Sequence, residues 1–118
     1  MKLQNTIFVN GFADAFSRLL DERLPIGIAF VLRRFAKEYD DKFKVFAQTR
    51  LDLFKKYGNE KDGEYKVPKK NLDKFNEEFE QLLEIEQEFD IKKVSLPKDT
   101  QMSAKDVAVL ENILDIKE

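Results

Sequence analysis

From Ile28 to Tyr57 apolar residues recur at helical spacing, mostly every third or fourth position, and no other feature constrains the fold of this chain as much. Ile28, Leu32, Phe35, Tyr39, Phe43, Phe46, Leu53 and Phe54 form the stripe, with Ala36 and Ala47 beside it. Steps of three and four put side chains on one face of an α-helix. At 1.5 Å per residue such a helix is about 45 Å long, more than a compact globule of 118 residues needs. A long helix in a short chain serves as a bundle spine or as a surface for a partner.

Signals on either side punctuate that helix. Asn10 precedes a short apolar pattern of Phe12, Phe16, Leu19 and Leu20, and its side chain suits an N-cap. Leu24-Pro25 breaks that pattern, and Pro25 fits the first turn of the long helix, where a missing N–H costs nothing. Lys55 and Lys56 suit the negative end of the helix dipole, and Gly58 is expected to close the helix in the left-handed conformation. A polar connector, Asn59 to Pro68, carries the turn pair Asp62-Gly63 with Tyr65 and Val67 alternating behind it. A small hairpin and an ordered loop both satisfy it.

A second helix is expected from about Asn71 to Glu88, with Leu72, Phe75, Phe79, Leu82 and Leu83 as its stripe. Alternation in Phe89-Asp90-Ile91 and Val94-Ser95-Leu96 suggests extended chain before Pro97. Ser103 with Asp106 resembles a capping box opening a last helix that carries Val107, Leu110, Ile113 and Leu114. From Arg33 to Tyr57 there are eight basic and four acidic residues. From Asn71 to Asp90 there are eight acidic residues and one lysine, Lys74. These opposite fields favour laying the two helices antiparallel. Exposed pairs are worth only about 0.5 kcal/mol each, so apolar burial at about 25 cal/mol per Å² has to supply most of the stability. The expected architecture is a single domain over residues 1–118, mostly α. It is a long-helix αα-hairpin with two shorter helices and scope for a small β element near Lys61–Val67 and Phe89–Leu96.

Composition narrows the chemistry. Cysteine and histidine are both absent, which removes disulfides, thiolate nucleophiles, the usual zinc sites and histidine acid–base catalysis. A net charge of -2 gives no global attraction to nucleic acid or anionic lipid. No apolar run approaches the roughly 18 residues of a membrane span, and residues Met1 to Asn5 lack the apolar region of a secretory signal. The expected setting is therefore cytoplasmic, with no cofactor, no metal and no enzymatic activity.

Three constellations invite a functional reading. Arg33, Arg34 and Lys37, with Lys44, Lys55 and Lys56, could form a basic ridge for phosphates. Glu38, Asp40, Asp41 and Asp52 interrupt it, and pairs such as Asp40–Lys44 and Asp52–Lys56 describe an ordinary solvated face. Glu77, Glu80 and Glu84, among other acids, could hold Mg²⁺ in a nucleotide hydrolase, but short acidic pairs are common on helices. Ile26, Phe30 and Val31 fall off the main stripe and widen its apolar arc, so they need cover from this chain or from a second one. Those three apolar residues, the basic Arg33, Arg34 and Lys37, and the acidic Glu77, Glu80 and Glu84 are the candidate partner-binding residues. Most of the eleven phenylalanines fall on core stripes.

The order of these signals resembles a family of small uncharacterised phage and prophage proteins of Gram-positive bacteria. Leu24-Pro25, the long helix ending in Lys56-Tyr57-Gly58 and the Asp62-Gly63 connector carry the likeness. So do Asn71, Lys74-Phe75, Glu78 and Leu82-Leu83, the Ile91…Val94…Leu96 segment and the Ser103-initiated helix. It covers most of the chain beyond about residue 12. Ala104 replaces an expected proline, and the phenylalanine-rich N-terminal stretch departs from the pattern. The resemblance implies a viral context and a non-enzymatic role; the expected function is a protein-binding module in virion assembly or against a host protein, located in the host cytoplasm or the virion, with a homo-oligomer open. It supplies no catalytic residues. Nucleic-acid binding through the basic face and carboxylate-metal hydrolysis are the alternatives.

Overall fold

The computed structural model describes residues 1–115. The chain opens with strand β1, Lys2–Gln4, and a 3-10 turn over Asn5–Phe8. Helices α1, Phe12–Leu20, and α2, Ile26–Tyr57, follow, then strands β2, Asn59–Lys61, and β3, Glu64–Lys66. Helix α3, Lys69–Glu84, strand β4, Glu86–Glu88, and helix α4, Ala104–Leu110, complete the described elements. The fold is mostly α. At 1.5 Å per residue the 32 residues of α2 reach about 48 Å, which accounts for the long dimension of a body measuring 51 × 26 × 25 Å.

Burial follows the expected stripe. Leu32, Phe35, Tyr39 and Phe46 are the buried residues of α2. Around them the rings of Phe8, Phe12, Phe16 and Phe89 pack with centroids 5.0 to 5.8 Å from a neighbour. Pairs at these distances and tilts add about 0.5–1.5 kcal/mol each beyond their buried area. A second aromatic group, Phe54, Phe75 and Phe79, closes the other end of the α2–α3 hairpin. Tyr39 belongs to the core: burial pushes its hydroxyl up to about 12, and the group donates to the Ile7 carbonyl at 2.9 Å.

The helix boundaries are set locally, with three departures from expectation. Pro25 lies just outside α2, where its carbonyl accepts the first helical bond from Ala29 at 3.0 Å. Asn10 caps α1 from one residue further out than expected: its side-chain oxygen accepts from Phe12 N–H at 3.1 Å, with Gly11 at the cap. Gly58 is extended (φ −106°, ψ 166°), not left-handed. Glycine is required there for space. A Cβ would lie 2.6 Å from the Phe54 carbonyl oxygen and 3.2 Å from that of Lys66, because β3 folds back over the end of α2. The connector is a hairpin whose two-residue turn puts Asp62 at φ 53° and Gly63 at φ 80°, the positive-φ pair that matches strand twist.

Helix α3 stops four residues before the expected Glu88. Asn5, buried, donates its side-chain amide to the Leu82 carbonyl at 2.9 Å, and its backbone N–H reaches the Ile85 carbonyl at 3.0 Å. With those helix-end carbonyls satisfied, the chain turns out and pairs antiparallel with β1, Leu3 opposite Gln87. Strand pairing thereby overrides the helix propensity of a Glu-rich run. The extended region beyond it is reduced to one parallel bridge, Val94 with Leu114.

Ser103 caps α4 as expected, accepting from Asp106 N–H at 3.1 Å. Ile113 and Leu114 are buried but lie beyond the end of that helix. Of the expected i,i+4 pairs on α2, Asp52 accepts instead from Gln48 at 3.0 Å, and Lys56 crosses to Glu78 on α3 at 3.0 Å. Arg18 grips the buried Asp106 through Nε (2.8 Å) and Nη2 (2.6 Å), joining α1 to α4.

Two outcomes are expected. Gly58→Ala should lower stability by about 1–3 kcal/mol in urea denaturation, because backbone carbonyls must move. Gly27→Ala, with open space around it, should raise stability by about 0.5–1 kcal/mol. In addition, Arg18 holds the Asp106 carboxyl below its ordinary 3.8, while Lys56 and the chain's terminal ammonium hold Glu78 and Glu88 below 4.5. Depressed carboxylates contribute stability above their unfolded pKa, and lose it as pH falls through the lower folded values. Unfolding midpoints measured between about pH 5 and pH 2 should fall less in Asp106→Asn than in the unmodified protein.

Candidate functional site

The first turns of α2 run past the edge of the aromatic core, where a second segment approaches them. That segment, Phe89 to Val94, leaves β4 and lies alongside. Between them is a cleft of about 760 Å³, walled by Gly27, Ile28 and Val31 on α2 and by Asp90, Ile91 and Val94 opposite. Its floor is apolar and its rim charged. Arg34 bridges to Asp90 at 2.7 Å, and Glu38 accepts from Asp90 N–H at 2.7 Å. Arg34 and Glu38 are one helical turn apart, so two adjacent turns of α2 hold the same residue of the opposing wall. At the far end the Met1 ammonium is shared by Glu88 and the Phe89 carbonyl, 2.9 Å from each.

Ile26 and Phe30 stand outside this cleft, 87% and 62% exposed. The Arg34 guanidinium lies 6.0 Å from the centre of the Phe30 ring, within reach of a cation–π attraction of about 0.5–1 kcal/mol. Aromatic and arginine side chains are enriched at protein interfaces relative to the rest of the surface.

The candidate residues divide into two groups. Val31, half-buried, and Arg34 line the cleft, and Ile26 and Phe30 lie outside it on the neighbouring side of the same helix turns. Thus the off-stripe arc is covered in part: Val31 packs onto the core from this chain, while Ile26 and Phe30 remain open. Arg33 and Lys37 are exposed on α2, and Glu77, Glu80 and Glu84 are exposed on α3. None of these five lines the cleft, and among the described residues no three acidic side chains converge in a way that could hold a metal ion. The residues that sequence reasoning missed are Glu38 and Asp90. A charge at i+4 from Arg34 was visible, but its shared target, 52 residues further on, was not.

A second cleft of about 520 Å³ lies between α1 and the approach to α4, around Arg18 and Asp106, which are already paired with each other. Among the described residues no helix is long and apolar enough to cross a membrane. No family model, no curated protein and no solved structure matches the chain.

Truncating the two phenylalanines of the first α2 turns should separate surface from core. Phe30→Ala should change stability by no more than about 0.5 kcal/mol in chemical denaturation. Phe35→Ala, at a residue 2% exposed, should cost about 3–5 kcal/mol.

Proposed function

We propose that this chain is a non-enzymatic phage-type protein-binding module, acting in virion assembly or by binding and inhibiting a host protein. The observation that carries the reading is the open Ile26–Phe30 corner of α2 beside an apolar cleft with a charged rim. Exposed large apolar groups that border a groove mark places where another surface excludes water. The partner would seat an apolar side chain against Ile28 and Val31 and cover Phe30, while Arg34 and Asp90 fix its orientation. The phage context rests on the order of sequence signals and places the protein in the host cytoplasm or the virion.

Protein binding is preferred over nucleic-acid binding on one point. Arg34, central to the basic ridge, is held by Asp90, and a phosphate would have to displace that carboxylate. Metal-dependent hydrolysis has less support, since Glu77, Glu80 and Glu84 sit on a solvated helix face away from the cleft.

Affinity capture from phage-infected cells, with the unmodified protein and Phe30→Asp as parallel baits, tests the proposal. A virion component or host protein held by the first bait and lost at least tenfold from the second is the expected result. Equal retention by both baits would sink the assignment of this surface. Steeply salt-dependent capture of DNA or RNA would replace it with the nucleic-acid alternative.

A further inference from the structure

Most of the charges that suggested an attraction between α2 and α3 do not meet each other within the molecule. Lys56 with Glu78 is the ion pair that joins the two helices among the described residues. Arg33, Lys37 and Lys44 on α2 are exposed, as are Asp73, Glu77, Glu80 and Glu84 on α3, and none of them takes part in an ion pair among those residues. At 3.6 residues per turn the three basic side chains line up on the side of α2 opposite its buried Leu32, Phe35, Tyr39 and Phe46. By the same periodicity the four acids line up opposite Phe75 and Leu82. Each helix turns its buried side toward the other, so the basic and acidic rows face outward on opposite sides of the body.

The rows also match in spacing. Along α2, Lys37 and Lys44 follow Arg33 by about 6 and 16 Å of helix rise. Along α3, Glu80 and Asp73 precede Glu84 by the same two intervals. An antiparallel contact therefore places Arg33, Lys37 and Lys44 against Glu84, Glu80 and Asp73 together. It also brings Lys74 to the flank of α3 that faces Asp41 on one side of the basic row, which outweighs the like charges of Asp40, on the other side, and Glu77 at the same level, and it opposes the two helix dipoles favourably. A parallel contact keeps the spacing but loses both of these advantages.

We propose that the partner of these two faces is a second copy of the chain, with the basic face of α2 in one molecule lying antiparallel on the acidic face of α3 in the next. The two faces differ and point in opposite directions, so the contact is head-to-tail and does not close into a two-fold dimer; each added copy offers both faces again. Exposed ion pairs are individually weak and screened by salt. The association is thus a property of concentrated protein at low ionic strength, as in a crowded assembly, and it uses a different stretch of α2 from the Ile26–Phe30 corner.

Sedimentation equilibrium over a wide concentration range tests it. At about 50 mM salt the unmodified protein should rise above twice its 13.9 kDa monomer mass, and at about 500 mM it should return to the monomer. Lys37→Glu with Lys44→Glu reverses one face, and Asp73→Lys with Glu80→Lys reverses the other. Each double variant alone should stay monomeric with unchanged helical circular dichroism. An equimolar mixture should associate, because each reversed face then meets a reversed complement. Three results would overturn the proposal: a monomer at every concentration and salt, association that survives either reversal, or a mixture that remains monomeric.

Discussion

The buried Asn5 side chain is the contact on which the arrangement depends. Its amide takes the Leu82 carbonyl, its backbone N–H takes the Ile85 carbonyl, and its side-chain oxygen accepts from Gln87. One polar residue thereby ends α3, starts the β1–β4 pairing and sends the chain toward α2. A buried amide left without partners costs about 1–3 kcal/mol per group, so the geometry is narrowly specified. Phe89 then enters the aromatic core 5.3 Å from Phe35, and the residues after it form the second wall of the cleft. The site therefore exists because the N-terminal segment is stitched to the end of a helix 80 residues away.

That contact is also where sequence reasoning fell short. The long helix was legible because Leu32, Phe35, Tyr39 and Phe46 repeat at the helical period and local signals mark both ends. The Asp62-Gly63 turn and the Ser103 cap were legible for the same reason, since each is decided by its immediate neighbours. The Glu-rich stretch after Glu84 reads as helix on propensity alone. Only pairing with Lys2–Gln4 makes it a strand, and nothing in its own residues announces that partner. At Gly58 the residue type was a correct stop signal for another physical reason, the closeness of the Phe54 and Lys66 carbonyls.

The candidate site divides along the same line. Ile26 and Phe30 could be singled out because they lie off the apolar stripe, and they are the exposed pair. The Arg34–Asp90–Glu38 arrangement needed the folded chain. Opposite charge on α2 and α3 was visible as composition and agrees with their antiparallel packing. Yet the packed sides are mainly apolar, with Phe54 on Phe75, and most of the charge looks outward. Apolar burial drives the hairpin, which leaves the fields of both helices available to the surroundings.

Between Ile28 and Tyr57 there is no proline or glycine, the residues at which sharp helix kinks are most often found. Helix α2 therefore joins the cleft at one end of the molecule to the Asp62-Gly63 hairpin at the other as a strut without a hinge. Whatever grips Ile26 and Phe30 also sets the position and orientation of a tip about 45 Å away. In mechanical terms, bodies attached at the two ends of this helix would be held about one helix length apart.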